Sequence, residues 1–256
     1  MTGDVAFITG GGRGIGRAIA LALARQGVRV AVTARSQDQI EAVAREVDAA
    51  GGRACAIPCD VTSADSVRRA VAAAADGLGP IDILVNNAGF VEGAPVVKLD
   101  EDLWNRTLAV NLTGTYRCTR AVLAGMLERR RGRIINIASV AGRKGMAYTA
   151  AYCAAKHGVL GFTRALALEV AGKGITVNAV CPGWVDTEMT DAAIARIVEK
   201  TGRSLEEARR TIETMNPIRR LVTPEEVAAV TLFLASEEAD AVTGQAYHVD
   251  GGEVMA

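Results

Sequence analysis

The sequence predicts a doubly wound α/β domain: one parallel sheet of about seven strands with helices on both faces. Three observations predict it. Short β-branched runs alternate with longer Ala/Leu-rich segments from one end of the chain to the other. Half of the residues are apolar but only 4% are aromatic, so the core must be built from Ala, Val, Leu and Ile. That palette suits parallel strands buried on both faces. No linker, repeat or compositional break divides the 256 residues, so a single domain is expected over 1–256.

The elements follow in order. VAFIT (5–9) reads as the first strand, and GIGRAIALALARQG as a helix stopped by Gly27 as a C-cap. VRVAVT (28–33) is the second strand. SQDQIEAVAREVDAAGG is a helix opened by a capping box, Ser36 and Gln39, and closed on Gly51. RACAIP (53–58), IDILVN (81–86), RIINIAS (133–139), ITVNAV (175–180) and QAYHV (245–249) complete the strands. Thr223-Pro224-Glu225-Glu226 opens a late helix with an N-cap, a first-turn proline and a capping carboxylate. Strand–helix–strand alternation implies right-handed crossovers onto one parallel sheet.

One region departs from this rhythm. About 184–222 contains no strand but two helical segments, near 188–199 and 204–214, the second opened by Ser204 and Glu207. Open α/β sheets bind ligands beyond the carboxyl ends of their strands, so an insertion after a late strand is expected to cover that crevice as a lid.

Charge and cysteine usage exclude several classes. Acidic and basic residues balance at 29 each, so no overall field favours nucleic acid or an anionic membrane. The five cysteines form no CxxC pair and only two histidines accompany them, so no disulfide framework and no metal site is expected. Free thiols point to a reducing compartment. No apolar run is long enough to span a bilayer, and the first residues lack the features of a signal peptide. A cytoplasmic location is expected.

TGGGRGIG (9–16) lies between the first strand and the first helix. It does not match G-x-G-x-x-G; Gly10, Gly14 and Gly16 follow T-G-x-x-x-G-x-G instead. The physical need is the same, a tight turn that lets a pyrophosphate approach the backbone N–H groups of a helix N-terminus. A Rossmann-type dinucleotide site is therefore expected. The second strand ends in Ala34, Arg35 and Ser36 with no carboxylate for a ribose 2′-hydroxyl, and Arg13 lies in the glycine turn. Two guanidiniums suit a 2′-phosphate, so NADP(H) is preferred over NAD(H), which remains possible.

In AYCAAKHG (151–158), Tyr152 and Lys156 stand four residues apart on one helical face. Alone, such a pair is an ordinary surface pair. With Ser139 thirteen residues upstream and a dinucleotide turn before it, the pair reads as a proton donor and the charge that tunes it. Hydride transfer to a ketone leaves an alkoxide that needs a proton. Tyrosine can give one, and a nearby ammonium is expected to lower the phenol pKa.

Together these residues resemble the compact, single-domain branch of the short-chain dehydrogenases/reductases. The features are TGxxxGxG at 9–16, Asp60-Val61, NNAG at 86–89, NLTG at 111–114, Ser139, the Tyr152/Lys156 pair and Pro-Gly at 182–183. The pattern is similar to that of bacterial 3-oxoacyl-thioester reductases and polyketide ketoreductases. The resemblance implies that Asn111, Ser139, Tyr152 and Lys156 are catalytic, with Ser139 and Tyr152 also holding the substrate. It implies a cofactor site formed by Gly10, Arg13, Gly14, Ile15, Gly16, Arg35, Asp60, Val61, Asn87, Ala88 and Gly89. Tyr152, Lys156, Pro182, Gly183, Val185 and Thr187 would complete that site. It also implies a homotetramer.

The expected function is NADPH-dependent reduction of a ketone, such as a 3-oxoacyl thioester on CoA or an acyl carrier protein. An NAD-linked secondary-alcohol dehydrogenase, or a dinucleotide-binding regulatory protein without turnover, would carry much of the same pattern. The basic stretch LERRRGR (127–133) is either a carrier contact or a helix C-terminus complementing its own dipole, the second being favoured.

Overall fold

The computed structural model describes residues 1–255. Seven parallel strands form one sheet in the order β3-β2-β1-β4-β5-β6-β7. They are β1 (Val5–Thr9), β2 (Arg29–Ala34), β3 (Arg53–Pro58), β4 (Ile83–Asn86), β5 (Gly132–Ile137), β6 (Ile175–Pro182) and β7 (Ala246–Val249). Helices α1 (Gly14–Arg25), α2 (Gln37–Ala49) and α3 (Ala64–Leu78) precede β4. Then come α4 (Glu101–Leu108), α5 (Gly114–Arg129) and α6 (Ala150–Val170), and finally α7 (Glu188–Thr201), α8 (Leu205–Glu213) and α9 (Pro224–Ala235).

Side-chain alternation along each strand divides the core in two. Ala6 and Ile8 join one cluster with Ile19, Leu23 and Ile40, under α1, α2 and α9. Val5 and Phe7 join the other with Leu84, Met126 and Val177, under α3, α5 and α6. Because both faces are covered, the strands are legible as unbroken apolar runs. The strand order reverses between β1 and β4, which creates a crevice at their carboxyl ends.

Two capping boxes form as expected, Ser204 with Glu207 on α8 and Thr223 with Glu226 on α9. The third does not. Ser36 stands at the N-cap of α2, but its side chain makes no capping bond. The glycine turn crosses the start of α2 so closely that a Cβ on Gly12 would lie 2.9 Å from Gln39 Cβ, and Gln39 faces the crevice instead. Strand β5 also ends before the expected Ser139. There the chain enters a 3-10 turn (Val140–Gly142), because the Ser139 hydroxyl accepts from Ala141 N at 3.1 Å.

The excursion between β6 and α9 has its own small cluster, Ile194, Ala208, Ile212 and Leu221, with Trp184 and Ile197 against it. Its two ends are joined by a parallel bridge between Val185 and Val222. Val222 N donates to Trp184 O at 2.9 Å and Asp186 N to Val222 O at 2.8 Å.

Candidate active site

The glycine turn is locked to the end of β4. Asn87 Nδ2 donates to both Thr9 O and Gly10 O at 3.0 Å, while Thr9 Oγ1 accepts from Asn87 N and Ala88 N at 3.0 Å. Gly16 permits the close approach: a Cβ there would lie 2.2 Å from Gly10 O. Gly10 itself has φ +64°, a left-handed conformation that favours glycine. Arg13 is the N-cap of α1, with no side-chain capping bond and no acidic residue in the first turn. The first N–H groups of α1 are thus left without a capping side chain, the arrangement that binds an anion.

A crevice of about 750 Å³ runs from this turn along the sheet's carboxyl edge. Gly10, Arg13, Gly14, Ile15, Arg35, Asp60, Val61, Asn87, Ala88, Gly89 and Thr187 all line it. Arg13 and Arg35 are both exposed, and neither forms an ion pair among the described residues. Ser36 and Gln39 join them at the same corner. Asp60 does not point a free carboxylate outward: its Oδ1 accepts from Thr62 N and Thr62 Oγ1 at 2.9 and 2.7 Å. The Thr62 hydroxyl is the main reason its pKa is held below the usual carboxylate value.

The crevice opens into a smaller, mostly apolar cavity of about 170 Å³. Asn111, Ser139, Tyr152, Lys156, Pro182, Gly183 and Val185 line it. Of the expected site residues, Gly16 alone lines neither space and lies buried beneath the turn. The sequence reading missed Phe90 and Met146 in the cavity wall, because single apolar residues in loops carry no periodic signal. Trp184 and Met189, read only as part of the lid, also line it.

Lys156 is not a surface residue: it is 4% exposed, and its Nζ donates to Ile137 O at 2.8 Å. It stands 5.6 Å from the centroid of the half-buried Tyr152 ring. Burial lowers the Lys156 pKa to about 8, with Cys181 pulling the other way. Burial also pushes the Tyr152 phenol up to about 12, opposed by the hydroxyl of Ser139. The expectation that lysine lowers the tyrosine pKa is therefore corrected, since desolvation dominates both groups.

Asn111 sits in a π-helical turn (Ala109–Thr113) between α4 and α5 rather than in a regular α-helix. Such single π-helical turns are rare and occur frequently at functional sites. Its Nδ2 donates to Phe90 O and Thr107 O at 3.0 Å, and its buried Oδ1 has no partner. A Cβ on Gly89 would lie 2.8 Å from that oxygen and 3.8 Å from Lys156 Nζ, so both atoms border the same open face of glycine.

A family model described as enoyl-(acyl carrier protein) reductase matches residues 10–253. The chain belongs to the short-chain dehydrogenase/reductase family. A 3-oxoacyl-(acyl-carrier-protein) reductase of Synechocystis is 43% identical over 257 residues, covering 100% of this chain and 98% of the relative. A sorbitol dehydrogenase of Cereibacter sphaeroides is 40% identical over 256 residues, covering 100% and 99%. Among solved structures, an actinorhodin polyketide ketoreductase variant with NADPH superposes with a TM-score of 0.95 at 45% identity, covering 98% and 97% of the two chains.

The basic stretch 127–133 lies at the opposite end of this short-chain dehydrogenase/reductase sheet from the crevice. Arg129 pairs with Asp82 and Arg131 with Asp4. Arg133 pairs with Asp240, and Arg130 donates to Gly172 O. These arginines tie strand and helix ends together through partners on other elements, a different role from the dipole complementation expected of them.

The Lys156 shift fixes a stability prediction. Between about pH 8 and 10.5 the unfolded chain holds a proton that the folded protein has lost, so stability rises with pH across that window. The cost of burying the ammonium is fully present below pH 8. Lys156→Met should therefore be more stable than wild type at pH 7, by roughly 1–3 kcal/mol. Urea unfolding should show the advantage vanish above about pH 10.5; an equal difference at both pH values contradicts it.

Proposed function

We propose that the protein reduces a ketone to a secondary alcohol with NADPH, acting on a 3-oxoacyl thioester or a related carbonyl compound. The observation that carries this reading is the convergence of Ser139, Tyr152 and a buried Lys156 on an apolar cavity opening from the crevice.

The residues fit a pyridine dinucleotide. The glycine turn presents an uncapped helix N-terminus, and the partnerless Asn111 Oδ1 faces the gap beside Gly89. Arg13 and Arg35, with Ser36 between the end of β2 and α2, form a corner for a 2′-phosphate. Asp60 and Val61 bound the adenine pocket, and Pro182, Gly183, Val185 and Thr187 line the nicotinamide end. The dinucleotide, when bound, supplies the hydride.

Ser139 donates a hydrogen bond to the substrate carbonyl and fixes it in reach of the phenol. Tyr152 gives its proton to the developing alkoxide oxygen. A phenol held at about 12 stays protonated at neutral pH, which suits the reductive direction. Lys156, fixed by Ile137 O, holds a positive charge beside the phenolate left behind. Asn111 Oδ1 holds the route by which the proton is replaced. The start of α7 borders the cavity, with Trp184, Met189 and Thr190 in its wall, and α8 packs behind α7 in an excursion carried on the Val185–Val222 bridge, which would serve as a lid.

The thioester reading draws on the acyl-carrier reductase relative; the sorbitol dehydrogenase relative favours a polyol or other secondary alcohol as a second reading. The absence of a carboxylate after β2 supports NADPH over NAD and so supports the reductase. Five free thiols support a reducing, cytoplasmic setting. Exposed Leu168 on α6 and Phe233 on α9 support assembly into a homotetramer, which light scattering should register as four chains.

Three outcomes test the function. Wild type should reduce members of a panel of 3-oxoacyl thioesters and ketones with NADPH. Tyr152→Phe should lose about 10²-fold or more in kcat while NADPH still quenches tryptophan fluorescence. Near wild-type turnover in that variant would sink the proposed acid. Arg35→Asp should raise the KM for NADPH more than that for NADH, and an unchanged ratio removes Arg35 from the phosphate corner.

A further inference from the structure

The loop from Ser139 to Tyr152 is closed from outside by the C-terminal residues. Lys144 N donates to Val140 O at 3.0 Å, which ties Lys144 to the turn that begins at Ser139. Its ammonium lies 2.8 Å from Glu253 Oε1. The partners are unequal: the Lys144 side chain is 39% exposed, that of Glu253 only 3%. The second carboxylate oxygen, Glu253 Oε2, is buried without a partner. It rests against Gly183, where a Cβ would come within 3.0 Å of it.

The path to Glu253 is built, not frayed. Gly183 N donates to Val249 O at 3.1 Å. Asp250, 4% exposed, accepts from Gly252 N at 3.0 Å and Val254 N at 2.9 Å. Gly251 and Gly252 take φ +64° and +85°, which turns the chain back over Gly183. Gly251 also presses on Ile218, at the base of the excursion.

Burying a carboxylate opposes folding unless its partner compensates, and a half-exposed lysine compensates poorly. An apolar residue or glutamine would serve stability better at position 253. The charge is instead placed between the two walls of the substrate cavity, the 139–152 loop and the Pro182–Gly183 turn.

We propose that Lys144 and Glu253 are a positioning pair. They hold the Ser139–Tyr152 loop against the Pro182–Gly183 turn, so that the two hydroxyls keep their aim on the substrate carbonyl. The inference rests on the ketone-reductase reading above; neither residue touches the reacting atoms.

The test compares Glu253→Gln, Lys144→Gln and Lys144→Arg with wild type by hydrogen exchange, thermal unfolding and kinetics. In the ligand-free protein, both Gln variants should speed amide exchange over 143–149 by about tenfold or more, with β4 to β6 unchanged. Both should lower kcat about fivefold or more while KM for NADPH stays within about twofold. Lys144→Arg should restore both. Glu253→Gln should melt no lower than wild type, since it removes a buried charge.

Exchange and kcat within about twofold of wild type in Glu253→Gln overturn the proposal. So does a parallel fall of melting temperature and kcat in that variant, which marks a general structural role. If Glu253→Gln does not fold, the two lysine variants decide, and identical behaviour of Gln and Arg overturns the pair. Should wild type reduce no ketone, the functional reading fails, while the exchange measurement still decides whether the pair holds the loop.

Discussion

The whole site depends on the clasp between the first and fourth strands. Their carboxyl ends diverge because the chain reverses its direction of travel across the sheet there. Left alone, the divergence would be a gap with unpaired backbone groups on both sides. Thr9 and Asn87 close it with four hydrogen bonds, two donated by the Asn87 side-chain amide and two accepted by the Thr9 hydroxyl. That clasp sets how far Gly10 stands from Ala88, and so where the uncapped end of α1 points. Beneath it a second polar chain, Asn86 to Asn136 to Thr163, links β4 through β5 to α6. The helix bearing Tyr152 and Lys156 is thereby referenced to the same junction as the glycine turn.

Against this rigid frame the buried Lys156 is a local liability. A parallel α/β core gives almost no polar groups to a buried ammonium, and here Ile137 O is its one hydrogen-bond acceptor. The same burial that penalises the ammonium also raises the Tyr152 phenol to about 12. Desolvation perturbs both groups in one place, a pairing found more often at functional sites than elsewhere.

Most of the fold was legible because its signals are local and redundant. Buried strands read as apolar runs, and four of the seven strands match their expected bounds within one residue at each end. The exceptions, at the start of β4 and the ends of β5 and β6, lie where turn chemistry or ladder contacts decide. Ser139 continues a strand-like run in sequence, but its hydroxyl accepts from Ala141 N and turns the chain out of the sheet. Ser36 and Gln39 match a capping box in sequence, but the glycine turn, distant by some two dozen residues, crosses them in space. The four candidate catalytic residues were legible as types at a spacing. Burial was not, and burial reversed the expected direction of the tyrosine shift. The Lys144–Glu253 contact joins residues more than a hundred positions apart and carries no sequence signal of its own.

The unmade capping box also bears on cofactor choice. If Ser36 capped α2, its hydroxyl would be consumed and the helix N-terminus satisfied. Left free, both face the corner shared by Arg13 and Arg35. A diphosphate at α1 needs only the glycine turn, which any dinucleotide would use. A 2′-phosphate adds charge on the far side of the ribose, where a carboxylate would repel it and where this chain offers two exposed guanidiniums instead. Because both are exposed and bound to nothing else, their attraction is screened by salt and acts over roughly one Debye length. Close hydrogen bonds from Ser36 and the first turn of α2 do not fade with salt in that way. On the proposed 2′-phosphate corner, discrimination between the two dinucleotides would rest on the arginines for capture and on the start of α2 for retention.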